Sequence, residues 1–164
     1  LDTFRPQLLA LVPPNVELRF NVSAYNVMVY CASDQIVKLT TNLVANAVEA
    51  IGEQPGVITI HTGMLDVTPQ VRGAFHVEAE FPGEKGYFIR VEDNGPGMDK
   101  EAADRIFEPF FTTRFIGRGL GLPVALGIVR AHQGNIAVKT TPGEGTVVTV
   151  VLPLAEASEI SVPA

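Results

Sequence analysis

With 164 residues, 46% hydrophobic side chains and 18% charged ones, the chain carries enough apolar material for one folded domain and lacks the composition of a disordered segment. A formal net charge of −6 excludes a broadly basic, nucleic-acid-binding surface, while leaving room for one local anion site made of backbone N–H groups and a few cations. Cys31 is the single cysteine, which excludes an intramolecular disulfide, fits a reducing compartment and reads as a small buried hydrophobe.

Residues 2–12 hold Leu8, Leu9 and Leu11 in a short helical pattern that stops at Pro13-Pro14. Strand-like runs follow over 16–22 and 27–30. A long helix is expected from Ser33, read as its N-cap, with Asp34 in the first turn and Gly52 as its stop. Ile36, Leu39, Leu43, Ala47 and Ala50 give it one apolar face. Alternation predicts strands over 57–62 and 87–92, separated by a loop-rich stretch over 63–86 that contains a short strand candidate at 75–79. A turn over 94–98, a short helix over 100–107 and a Gly-, Thr- and Phe-rich stretch over 108–121 come next. A helix over 122–132 leads to two further strands, 135–140 and 146–152, joined at Pro142-Gly143. Several strands and three or four helices in this order predict an α/β two-layer sandwich, with helices on one face of a mixed sheet. Residues 1–154 are read as the domain and 155–164 as a tail or linker stub. No apolar run reaches the ~20 residues that a membrane span needs. The chain opens at Leu1 without an initiator Met, and is read as a piece of a longer protein.

Four segments carry the chemistry. Asn42, Asn46 and Glu49 share one side of the long helix, where an amide oxygen can ligate a hard cation such as Mg²⁺. An exposed polar stripe is the plainer reading of these three taken alone. Glu92-Asp93-Asn94-Gly95-Pro96-Gly97-Met98 follows a β-run and sets a carboxylate beside two glycines, so backbone can approach a flat ligand and Asp93 can accept from an exocyclic amine. An ordinary turn explains the same residues. Phe107-Glu-Pro-Phe110-Phe111-Thr112-Thr113-Arg114 reads as the aromatic root of a mobile lid or as core, with burial expected for Phe107 and Phe110. Gly117-Arg118-Gly119-Leu120-Gly121-Leu122-Pro123 runs into a helix, where free N–H groups favour phosphate. The string is neither a Walker loop nor the dinucleotide-binding fingerprint.

In combination the segments are far more specific. NLVANAVEA, VEDNGPGM, IFEPFFTT, GRGLGLPVALGIVRAHQG and GEGTVVTVVLP, in this order, resemble the GHKL ATPase superfamily, which includes gyrase, MutL and the histidine kinases. They are most similar to the histidine kinases, and the resemblance covers about residues 39–153. Glu49 and the wording TTRFIGRGLGL resemble kinases with PAS sensor domains, often hybrids.

The resemblance implies a Bergerat-type sheet with a mobile ATP lid and an ATP-dependent phosphotransferase. It implies Mg²⁺ held by Asn46, with Asn42 beside it near the phosphates. Asp93, helped by Thr146, would hold adenine, with clearance from Gly95 and Gly97 and with Met98 nearby. Gly119, Leu120, Gly121 and Leu122 would border the phosphates, and Arg114 or Arg118 would supply the lid cation. Hydrolysing relatives typically carry Glu where Asn42 stands, and an amide cannot act as a base at neutral pH. Many histidine kinases carry Lys or Arg where Glu49 stands, so a lid arginine would substitute. His61, His76 and His132 lack the acidic neighbour of the family's phosphoacceptor, so the acceptor is expected outside this chain. The implied partners are a dimerisation domain carrying the phosphohistidine and a response-regulator receiver domain, within a homodimeric parent. A cytoplasmic setting, without nucleic acid or direct membrane contact, goes with them. The alternatives are a water-attacking ATPase of the same superfamily, which Asn42 opposes, and a degenerate nucleotide-binding scaffold, which intact Asn46, Asp93 and glycines oppose.

Overall fold

The computed structural model describes residues 4–23, 29, 31–76, 81–111 and 120–155. In chain order the strands are β1 (Val16–Val22), β2 (Gly56–Asp66), β3 (Lys85–Asp93), β4 (Asn135–Thr141) and β5 (Gly145–Pro153). The helices are α1 (Arg5–Leu11), α2 (Ser33–Ile51), α3 (Pro69–Gly73), α4 (Lys100–Arg105) and α5 (Gly121–Ala131). The strands form one mixed sheet in the order β1-β2-β3-β5-β4, with β1 parallel to β2 and every other pair antiparallel. Among the described residues no helix is long and apolar enough to cross a membrane.

The expected two-layer α/β arrangement holds. Leu39, Leu43, Val44 and Ala47 of α2 and Leu122, Ala125, Leu126 and Val129 of α5 pack in one core with Ile58, Ile60, Val91, Ile136, Val148 and Val150 of the sheet. Each such Leu or Ile contributes about 1.5–3 kcal/mol by leaving water. Their period-2 spacing in the strands and 3.6-residue spacing in the helices bring them together on one side of the sheet. Asn21, His61 and Glu92 alternate with these inward residues and meet on the opposite face, where His61 Nε2 stands 3.6 Å from Glu92 Oε2.

Several boundaries differ from expectation. Ser33 does not cap α2; Ala32 holds that position, its carbonyl accepting from the N–H groups of Gln35 and Ile36. At the other end Gly52 stops the helix with φ 68°, as its sequence position suggested. The stretch expected to be loop over 63–86 contains four more residues of β2 and the helix α3, capped by the Thr68 hydroxyl. Phe75 and His76 are not in a strand, and residues 77–79 lie outside the described residues. The short helix ends at Arg105, before the expected Phe107, and Asp99 caps its start by accepting from Ala102 N–H at 2.8 Å. Of the strand expected over 27–30, only Val29 is described, bridged to Leu154. Cys31 is half-buried, and burial pushes its thiol up.

Candidate functional site

Three strands end their inward-facing rows on polar residues at the same level. On β3 the row runs Ile89, Val91, Asp93; on β5 it runs Val150, Val148, Thr146; on β4 it runs Ile136, Val138, Thr140. The register sets Asp93 opposite Thr146 and Thr146 opposite Thr140. Directly opposite residues put their side chains on one face, so a carboxylate and two hydroxyls form a row across the sheet at the edge of the core. Asp93 is only 6% exposed. Burial pushes its carboxyl above the ordinary value, while the backbone amides of Gly95 and Thr146 pull the other way. Its Oδ1 accepts from Gly95 N–H at 2.9 Å.

The turn after β3 is fixed by contacts that only glycine permits. Gly97 has φ 63°, and a Cβ there would overlap the Thr141 carbonyl oxygen. Gly145, with φ 95°, lies so close to β3 that a Cβ would overlap the Asp93 carbonyl oxygen. Gly143 N–H donates to Pro96 O at 2.7 Å, and Asn94 Oδ1 accepts from Val57 N–H at 2.7 Å. The Asp93 turn is thereby tied to the β4–β5 hairpin on one side and to β2 on the other.

Helix α2 passes the Asp93 end of this row. Asn42, Asn46 and Ala50 follow one another at one-turn intervals, so the stripe is about 12 Å long. At one end, a Cβ on Gly95 would stand 3.4 Å from the Ala50 backbone. At the other, the nearest neighbour for a Cβ on Gly121 is the Asn42 carbonyl oxygen at 3.7 Å. The stripe therefore leads from the Asp93 turn to the start of α5, whose first N–H groups have no partner within the helix. Asn42 Nδ2 is buried without a hydrogen-bond partner, although such an amide ordinarily finds one. Asn46 is half-buried between these ends, and Glu49 is exposed.

The remaining candidates divide. Leu122 is buried in the core, and Leu120 stands exposed at the cap of α5. Met98 is half-buried, and its N–H donates to Thr140 Oγ1 at 2.9 Å. Arg114, Arg118 and Gly119, and with them the expected lid, lie outside the described residues. Phe107 packs against the core as expected, whereas Phe110 does not: its backbone turns at φ 67° and its side chain is 76% exposed. The histidines stand elsewhere. His61 is on the far face of the sheet, His76 packs edge-on against Phe107, and His132 caps α5 with Nδ1 2.8 Å from Ile128 O. Asn94 and Thr140 were missed as site-building residues. The matched threonines flanking the TPGEG turn were the available signal for Thr140.

Chemically, one end of the site is an acceptor set and the other a donor set. Asp93 and Thr146 can receive the N–H groups of a flat amine-bearing ring, while the Asn42 amide and the start of α5 can donate to an anion. Among the described residues no group of three His, Cys, Asp or Glu forms a metal cage. A divalent ion here would take an amide oxygen together with ligand and water oxygens, which suits Mg²⁺.

Comparison with known proteins identifies the family and the fold. The family described as histidine kinase-, DNA gyrase B- and HSP90-like ATPase matches residues 31–156. The sensor protein kinase FleS of Pseudomonas aeruginosa is 36% identical over 146 residues, covering 89% of this chain and 32% of its own length. The sensor histidine kinase ZraS of Salmonella typhimurium is 33% identical over 139 residues, covering 85% of this chain and 26% of its own. The chain thus spans about a third or less of these relatives. Among solved structures, a mycobacterial sensor histidine kinase, MprB, shares the fold at TM-score 0.71 and 20% identity, with 93% of this chain and 92% of that one covered. The nucleotide-free catalytic domain of the histidine kinase ThkA aligns at TM-score 0.65 and 26% identity, with 93% and 86% covered.

Proposed function

Because this chain belongs to the histidine kinase-, DNA gyrase B- and HSP90-like ATPase family, within its sensor-kinase branch, we propose that it is the ATP-binding catalytic domain of a sensor histidine kinase. It binds ATP and transfers the γ-phosphoryl group to a histidine on a dimerisation domain of the parent protein. The observation that carries this reading is the buried Asp93 carboxylate at one end of the Asn42–Asn46 stripe, with the start of α5 at the other.

In this reading Asp93 and Thr146 receive the adenine amine, and Gly95 and Gly97 let the turn lie flat beneath the ring, next to Met98. Asn42 turns its unpartnered Nδ2 to the phosphates, and Gly119, Leu120, Gly121 and Leu122 border them at the start of α5. Asn46 gives its amide oxygen to Mg²⁺, which when bound neutralises phosphate charge. Glu49 lines the solvent edge, and Arg114 or Arg118 supplies the cation that Glu49 cannot. The domain comprises 1–154, with 155–164 as a C-terminal tail or linker stub. The catalytic domain works in the cytoplasm, and the parent, soluble or membrane-anchored, is a homodimer that passes its phosphoryl group to a receiver domain. Calorimetric titration of this chain with ADP and with a non-hydrolysable ATP analogue, with and without Mg²⁺, tests the reading. Saturable adenine-nucleotide binding is expected, and its absence overturns the proposal.

A further inference from the structure

Thr140 sits where the two site-forming turns meet. Its Oγ1 accepts from Met98 N–H at 2.9 Å, donates to Gly145 O at 3.1 Å and lies 3.1 Å from Thr146 Oγ1. A hydroxyl has one proton to give and two lone pairs to accept with. Since that proton goes to the Gly145 carbonyl, the contact between the threonines leaves one assignment: the Thr146 hydroxyl donates to Thr140. Every capacity of Thr140 is then used, and Thr146 has only lone pairs left to offer. Thr146 is 5% exposed and stands opposite Asp93 in register, so its hydroxyl has little freedom to exchange this partner for water.

We infer that Thr140 is a positioning residue that fixes the Thr146 hydroxyl as an acceptor, so that Asp93 and Thr146 together admit a 6-aminopurine nucleotide and reject a 6-oxopurine one. The inference rests on the reading that these two residues hold the purine. An exocyclic amine brings two N–H donors to a row of acceptors. A 6-oxo group brings lone pairs to the same row, directly or through a water whose protons are already committed. Leaving buried acceptors facing an acceptor is the kind of mismatch that polar sites discriminate strongly. Without the Thr140 hydroxyl, Thr146 can turn and donate, and the mismatch is relieved.

The test compares ADP with IDP on this chain by calorimetry, together with thermal midpoints. The wild-type chain is expected to favour ADP by about 100-fold. Thr140→Val, close in shape but without the hydroxyl, should cut that ratio by roughly tenfold or more, and Thr140→Ser should restore it to within about threefold. Thr140→Ala gives the same reading should the valine variant fail to fold. An unchanged ratio in the hydroxyl-less variant, or equal weakening of both nucleotides, overturns the positioning role and leaves the nucleotide site standing. If the wild-type chain binds neither nucleotide, the site assignment itself fails and this inference falls with it.

Discussion

Asp93 and Thr146 stand directly opposite each other on β3 and β5, each ending an apolar row that begins deep in the core. The pair is thus anchored by Val91 and Val148 behind it and held by Gly145, whose missing Cβ lets the strands close at the Asp93 carbonyl. Such a site is built from packed strands, and its precision comes from the core.

Asp93→Asn should lower ADP affinity by about 1.5–3 kcal/mol, the worth of a hydrogen bond to a charged group. That is roughly 10- to 150-fold. The ligand-free domain should stay folded, since an amide oxygen can still accept from Gly95 N–H. Calorimetry and thermal melts check both halves. Wild-type ADP affinity in the variant would reject the assignment of the amine to Asp93.

The same residue makes a pH prediction. Burial, its largest influence, raises the Asp93 carboxyl pKa in the folded state. The folded protein then binds this proton more tightly than the unfolded chain, so as pH rises through the unfolded and then the folded value, stability falls. At neutral pH, Asp93→Asn should melt at or above the wild-type midpoint, and the gap should close as acid protonates Asp93. ADP binding, which needs the carboxylate, should weaken in the same acid window. Melts across pH for both proteins, without ligand, decide the sign; a gap that widens in acid contradicts it.

Much of this was legible in the sequence, and the losses have physical causes. The bounds of β1 and the apolar face of α2 follow from periodicity, which survives folding unchanged. The second half of β2 was hidden because Gly63 reads as a break, although it sits buried in mid-strand opposite Phe88. Asp93 stood out because a carboxylate beside two glycines is chemically conspicuous. Thr140 did not, because its role exists only once the hairpin register places it beside Thr146 and the Asp93 turn brings Met98 against it. The exposure of Phe110 depends on a left-handed backbone that no hydrophobicity pattern reports.

Two glycine substitutions separate conformation from space. Gly143→Ala meets open space at φ 81°, so its cost should be about 1 kcal/mol of backbone strain. Gly97→Ala adds an overlap with the Thr141 carbonyl at φ 63°, and backbone on both sides leaves little room to yield. It should cost several-fold more, on the order of 3 kcal/mol, and should take ADP binding with it by displacing the Asp93 turn. Denaturant melts and ADP titration measure the pair. Equal, small losses would mean that the turn is not held as tightly as its contacts indicate.

Asn46→Ala should separate metal-dependent from metal-independent binding. Affinity for a Mg²⁺-bound ATP analogue should fall by about tenfold, near 1.4 kcal/mol, while ADP affinity in EDTA changes little. Equal losses under both conditions would point to a packing defect in α2 and away from a metal ligand.

The last prediction concerns what the chain does with bound ATP. Incubated alone, it should bind ATP, hydrolyse it slowly and acquire almost no acid-labile phosphate. An attacking water needs a base in reach, typically worth ~10²–10⁴ in rate, and the stripe residue whose backbone meets the start of α5 is Asn42, whose amide side chain cannot serve. The chain's own histidines are also badly placed. His61 lies on the opposite face of the sheet, His76 packs edge-on against Phe107, and His132 is held by Ile128 O and by Ala32 N–H at 3.3 Å. His61 and His132 cannot approach the stripe without disrupting the elements they sit on, and His76 would have to leave Phe107 and the bond from its N–H to Ile136 O. Supplying the parent's phosphoacceptor helices in trans should then give phosphorylation on that segment, because transfer needs only a nucleophile positioned beside the bound nucleotide. Radiolabel transfer from γ-labelled ATP, with acid and base stability used to identify phosphohistidine, reads the outcome. Asn42→Glu, which would restore a carboxylate base at that position, is the complementary variant and should raise hydrolysis by the isolated chain. Rapid turnover by the unaltered chain, or stable label on His61, His76 or His132, would instead make it a hydrolase or a self-phosphorylating domain.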